Sequence, residues 1–102
     1  MREKDIEMYL REEVKKLGGR AYKFESPGNA GVPDRLITLP YGLSCFVEVK
    51  APGKQPAALQ SQQLAFLRNL KQAVFVVDSK EAVRDLIGEM KEWLHIEDPH
   101  TV

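Results

Sequence analysis

Apolar residues recur along this chain at two spacings, and the switches between them mark its elements. From Glu3 to Leu17 the positions Ile6, Leu10, Val14 and Leu17 fall three or four residues apart, one face of an amphipathic helix, and Gly18-Gly19 supplies its stop. Arg20 to Glu25 holds Ala21-Tyr22-Lys23-Phe24 and predicts a strand, and Ser26 to Val32 predicts a glycine-rich loop. Arg35-Leu36-Ile37-Thr38-Leu39 predicts a second strand, Pro40-Tyr41-Gly42 a turn, and Leu43 to Lys50 a third strand. Pro56 to Leu70 predicts a helix with Leu59, Gln63, Phe66, Leu67 and Leu70 along one side. The unbroken apolar run Ala73-Val74-Phe75-Val76-Val77 suits a buried strand. Ser79 is a good N-cap for a last helix reaching about Trp93, with Val83, Leu86, Ile87, Met90 and Leu94 facing inward. Glu97 to Val102 predicts a frayed tail. The order αβββαβα describes an α/β domain without internal repeats or low-complexity segments.

The chemistry gathers on the second and third strands. Pro33-Asp34 enters the second strand and Glu48-Val49-Lys50 closes the third. Alternation points Glu48 and Lys50 the same way and Val49 the other. A hairpin centred near Tyr41 and Gly42 brings Asp34 level with Glu48 to Lys50, so three ionisable groups share one side of a sheet. Two neighbouring carboxylates repel and raise one another's pKa unless they share a cation. A divalent ion with hard oxygen ligands removes that conflict, and Mg²⁺ takes one or two carboxylates together with waters and phosphate oxygens. Such an ion lowers the pKa of a bound water and neutralises charge on a phosphoryl transition state. Lys50 would add a compact positive charge at the scissile phosphate.

Each short string also has a plain reading. Glu48 and Lys50 can be an ordinary solvated strand face, and Asp34 after Pro33 a turn residue. Their conjunction favours the metal site. Phe46, Val47 and Val49 make the third strand mostly apolar and therefore central, and charged residues on a central strand need partners.

Length and composition set the frame. A chain of 102 residues is one domain, residues 1–102, large enough for a single core. Its 43% hydrophobic and 29% charged residues are ordinary for a soluble globular protein. The one cysteine, Cys45, lies in an apolar strand; it excludes an internal disulfide and reads as a small core residue rather than a nucleophile. No apolar run is long enough for a membrane span, and the charged start Met1-Arg2-Glu3-Lys4-Asp5 is unlike a signal peptide, so a reducing cytoplasm is expected. Fifteen basic and fifteen acidic residues cancel, where nucleic-acid binders are usually basic. Their distribution is uneven: Arg20, Lys23, Arg35, Lys50 and Lys54 gather around the motif, while seven acids lie between Asp78 and Asp98.

Pro33-Asp34 followed by Glu48-Val49-Lys50 resembles the active-site signature of the PD-(D/E)XK nuclease superfamily. The wider set is more specific: an acidic first helix, Lys23-Phe24-Glu25-Ser26-Pro27-Gly28, Gly31-Val32-Pro33-Asp34-Arg35, Phe46 to Gly53, and Leu59-Gln60. Together these resemble the VRR-NUC (virus-type replication-repair nuclease) domain from about Glu3 to Leu86, in the small stand-alone form found in phages and prophages. The resemblance implies a restriction-endonuclease-like core, a mixed central sheet flanked by helices. It implies a Mg²⁺- or Mn²⁺-dependent DNA endonuclease leaving 5′-phosphate ends. Asp34, Glu48 and the backbone carbonyl of Val49 would hold the metal, with Lys50 as the catalytic cation. It implies further an acid on the first helix that completes the site, and both Glu3 and Glu7 lie on or beside its apolar face; Glu7, a full turn further in, is favoured. A glutamine at the position of Gln60 contributes to the site in the family, although here it also belongs to a glutamine-rich stretch. Lys23, Ser26 and Arg35 are candidate phosphate contacts by chemistry and position, fixing the backbone without reading bases. Small relatives act as homodimers on branched DNA such as four-way junctions. No small-molecule cofactor and no membrane partner is expected. His95 and His100 take no catalytic role, since no third ligand has zinc spacing. Two other readings remain: a catalytically silent nucleic-acid-binding module of the same fold, and an α/β domain unrelated to nucleic acids.

Overall fold

A computed structural model describes residues 1–98, so His100 and most of the expected frayed tail lie outside the described residues. The elements are α1 (Glu3–Lys16), β1 (Arg20–Lys23), β2 (Arg35–Thr38), a 3-10 turn (Pro40–Gly42), β3 (Ser44–Val49), α2 (Ala58–Asn69), β4 (Val74–Val77) and α3 (Lys80–Glu97). The strands form one mixed sheet in the order β1-β2-β3-β4, antiparallel from β1 to β3 and parallel between β3 and β4. The apolar third strand is thus central, as its composition predicts.

Each terminus has a local cause. Asp5 accepts the Arg2 backbone N–H at 3.0 Å and fixes the first turn of α1. Ser79 Oγ accepts the Ala82 N–H at 3.0 Å and opens α3. The hairpin turn uses Tyr41 at φ 64 and Gly42 at φ 74, which reverses β2 into β3.

Alternation along the strands gives the sheet two unlike faces. Ile37, Cys45, Val47, Val49 and Val77 meet Ile6, Leu10 and Val14 of α1 and Val83, Leu86, Ile87 and Met90 of α3 in the main core. The opposite face carries Leu36, Phe46 and Glu48 toward α2; the Phe24 and Phe46 rings pack there at 5.5 Å.

Helix α2 sits differently from its sequence pattern. Leu64 is the residue it buries, with Gln60, Gln63 and Leu67 half-buried beside it. Leu59, Phe66 and Leu70, expected on one side with Gln63 and Leu67, are 49%, 61% and 56% exposed. The helix is turned so that Gln60 reaches the sheet. Leaving half a Leu or Phe side chain in water forgoes roughly 1 kcal/mol each, whereas a buried carboxylate without partners costs more.

Candidate active site

The β2–β3 register pairs Arg35 with Val47, which sets Asp34 opposite Glu48 one step beyond the last pair. The Asp34 N–H donates to Glu48 Oε1 at 3.2 Å, and the Val49 N–H donates to Asp34 Oδ2 at 2.9 Å. Backbone and side chain thereby cross-link the two acids. The Phe24 N–H donates to the Asp34 carbonyl at 2.8 Å, tying the same residue to the end of β1.

Glu48 is fully buried, at 0% exposure, an unusual place for a carboxylate. Its Oε2 lies 3.0 Å from Lys50 Nζ and accepts Gln60 Nε2 at 2.6 Å. Burial pushes its pKa above the ordinary carboxylate value; the Lys50 hydrogen bond opposes that shift, and the negative charge of Asp34 adds to it. The group is therefore poorly solvated and anionic only at a cost, which a cation at the site offsets.

Gln60 has two partners of opposite kind. Its Oε1 accepts the Ala57 N–H at 2.9 Å, a cap on the first turn of α2, so its amide NH₂ must face Glu48. The approach of α2 depends on Gly31, at φ +87. A Cβ built there would lie 2.9 Å from the Leu59 carbonyl oxygen and 3.1 Å from Leu59 Cγ. Gln63 Nε2 adds a bond of 3.3 Å to the Ala30 carbonyl, and Asn29 Nδ2 donates to Ser26 Oγ at 2.9 Å within the loop.

The structure brings Asp34, Glu48, Lys50 and Gln60 together and puts the Val49 peptide beside them. It places Glu7 and Arg35 elsewhere. Arg35 follows Asp34 on the strand, so its side chain points to the α1 side, where it pairs with Glu7 and donates from Nη1 to the Ala21 carbonyl at 3.3 Å. The guanidinium is buried there, facing away from any phosphate beside Glu48, and the Glu7 carboxylate is engaged by it. Glu3 is exposed in the first turn of α1. Lys23 is exposed and pairs with Glu25 at 3.3 Å; opposite Arg35 in the β1–β2 register, it faces the α1 side as Arg35 does and not the Glu48 side where a phosphate contact is expected. The Cys45 thiol, pushed up to about 12 by burial, is inert at neutral pH. His95 is exposed on α3.

Among the described residues, no three His, Cys, Asp or Glu side chains converge on one point. The oxygen donors brought together are two carboxylates, one of them buried with a raised pKa. Hard oxygens in that number suit Mg²⁺ or Mn²⁺, which complete their shells with water and phosphate, rather than Zn²⁺. Sequence reasoning missed two contributors, the close packing of Gly31 on α2 and the Arg35–Glu7 pair; both depend on tertiary contacts.

No family model matches the chain. It is 52% identical over 81 residues to "Putative nuclease p44" of Acyrthosiphon pisum secondary endosymbiont phage 1, covering 79% of this chain and 87% of that protein. A solved structure described as "VRR_NUC domain" superposes with a TM-score of 0.81 at 36% identity, covering 84% of this chain and 94% of the other.

Proposed function

The chain belongs to the VRR-NUC nuclease family, and from that premise we propose that it is a metal-dependent DNA endonuclease acting as a homodimer on branched DNA such as four-way junctions, in the host cytoplasm. The observation that carries the reading is the cluster of half-buried Asp34, Lys50 and Gln60 around the fully buried Glu48 at the end of the central strands.

Asp34, Glu48 and the Val49 carbonyl would hold Mg²⁺ or Mn²⁺. When bound, that ion supplies Lewis-acid stabilisation of the phosphoryl charge and a more acidic water. Lys50 balances Glu48 and sits where its ammonium can also face the scissile phosphate. Gln60 holds Glu48 in one orientation from above. Ser26, in the loop after β1, positions the DNA backbone without reading sequence, whereas Lys23 pairs with Arg35 across β1 and β2 and so faces the α1 side with it. Hydrolysis leaves a 5′-phosphate and a 3′-hydroxyl. The exposed apolar side chains Leu59 and Phe66 on α2 and Leu70 at its C-cap support the homodimer, since large apolar groups left in water on a small domain are candidates for an interaction surface.

Cleavage of labelled four-way junction, flap, duplex and single-stranded DNA with Mg²⁺ or Mn²⁺, beside Asp34→Ala, tests the reading. Metal-dependent cutting of the junction that the variant lacks is the expected result. Binding without cutting on every substrate would replace it with a silent binding module.

A further inference from the structure

We propose that Glu7 and Arg35 form a positioning clamp that sets Asp34 from the far face of the sheet, touching neither metal nor DNA. The inference rests on Asp34 being a metal ligand. Arg35 is the next residue along the chain, and alternation sends the two side chains to opposite faces. Its guanidinium joins three elements: it lies on β2, donates to the Ala21 carbonyl of β1, and pairs with Glu7 of α1. Its Nε has no partner among the described residues, so there those two links hold the buried cation.

Two of these elements, β1 and β2, together with β3 determine where Asp34 sits. Its carbonyl is held by the Phe24 N–H, which directly follows β1, and its own N–H is held by Glu48 on β3. A shift of β1 against β2 therefore moves the Asp34 peptide and its Oδ2 bond to the Val49 N–H. The Arg35 fork opposes that shift by fixing β1 to β2 and both to α1. Removing Glu7 leaves the largely buried Arg35 cation short of its counter-charge, and removing Arg35 takes away the fork that ties β1, β2 and α1, so in either case the strand ends must rearrange.

The clamp separates cleanly from the two direct roles open to these residues. A Glu7 that ligates metal is restrained by Arg35, so losing Arg35 would free it and strengthen binding. A clamp needs both partners equally. The discriminating experiment is calorimetric titration of Ca²⁺ or Mn²⁺ into DNA-free wild type, Glu7→Gln, Arg35→Gln and the double variant, with metal-free melts alongside. Each single variant should lose affinity about tenfold, the lower end of the ~10–100-fold typical of groups that support a metal ligand. The double variant should be no weaker than either single, since both remove the same clamp. Arg35→Lys, which keeps the charge but loses the fork, should fall between wild type and Arg35→Gln; it also serves if Arg35→Gln does not fold. Weakened binding in Glu7→Gln with unchanged or tighter binding in the Arg35 variants would overturn the clamp in favour of direct ligation. Lower melting temperatures at unchanged metal affinity would reduce the pair to a plain fold contact. An Asp34→Ala control that still binds metal normally would instead refute Asp34 as a ligand, a failure of the underlying reading and not of the clamp alone.

Discussion

Gly31→Ala tests whether the approach of α2 to the loop builds the site. Two costs act at this position. An L-residue at φ +87 gives up roughly 1–2 kcal/mol against glycine. The added methyl would also meet the Leu59 backbone at 2.9 and 3.0 Å, closer than carbon atoms pack, and overpacking of this kind costs about 1–3 kcal/mol. Gly28 provides an internal control. It has nearly the same φ, +82, but open space where its Cβ would go, so Gly28→Ala carries only the first cost. The difference between the two variants isolates the contact. Metal-free thermal melts should place Gly31→Ala about 2 kcal/mol below Gly28→Ala, roughly 8–16 °C for a domain of this size. Relief of the clash moves the first turn of α2, and Gln60 with it, away from the 2.6 Å bond to Glu48. Metal affinity should therefore fall in Gly31→Ala and stay near wild type in Gly28→Ala. Equal melting temperatures for the two variants, with equal metal affinity, would refute the claim that this packing positions Gln60.

Three further outcomes follow from the site. Lys50→Met should retain Ca²⁺ binding yet lose cleavage by roughly 10²–10³-fold, the usual loss for one positioned electrostatic group; retained cutting would return Lys50 to a mere counter-charge for Glu48. The raised pKa of Glu48 means that its protonated form favours folding. That contribution is complete below the ordinary value of 4.5 and is lost as pH rises through the raised folded value. Without metal, wild type should lose more melting temperature than Glu48→Met as pH rises above the ordinary value of 4.5, and parallel curves would contradict the burial argument. Phe66→Glu puts a charge among the exposed apolar side chains of α2 without touching the sheet. Light scattering should show a dimeric wild type and a monomeric variant, while a variant that remains dimeric would place the interface elsewhere.

How much of this was legible in the sequence depends on the range of the interaction involved. Local signals carried far: Ile6, Leu10 and Val14 marked the buried face of α1, Ser79 marked the start of α3, and the turn at Tyr41-Gly42 fixed the register that sets Asp34 against Glu48. These depend on periodicity, a cap and a hairpin turn, each readable from the pattern of a single element or of two adjacent ones. Helix α2 shows where that reasoning stops. Its apolar pattern pointed to Leu59, Phe66 and Leu70, yet it buries Leu64 and turns Gln60 inward. The deciding partner, Glu48, is twelve residues upstream on another element, and hydrophobic periodicity cannot register a carboxylate that needs a donor. Arg35 teaches the same lesson from the opposite face. Beside Asp34 in the sequence it looked like a phosphate contact, because composition records that a charge is present but not which way the pleat sends it. Alternation was the available signal. Applied from Asp34 to Arg35 as it was from Glu48 to Lys50, it would have sent Arg35 toward α1, where Glu7 was the acid within reach.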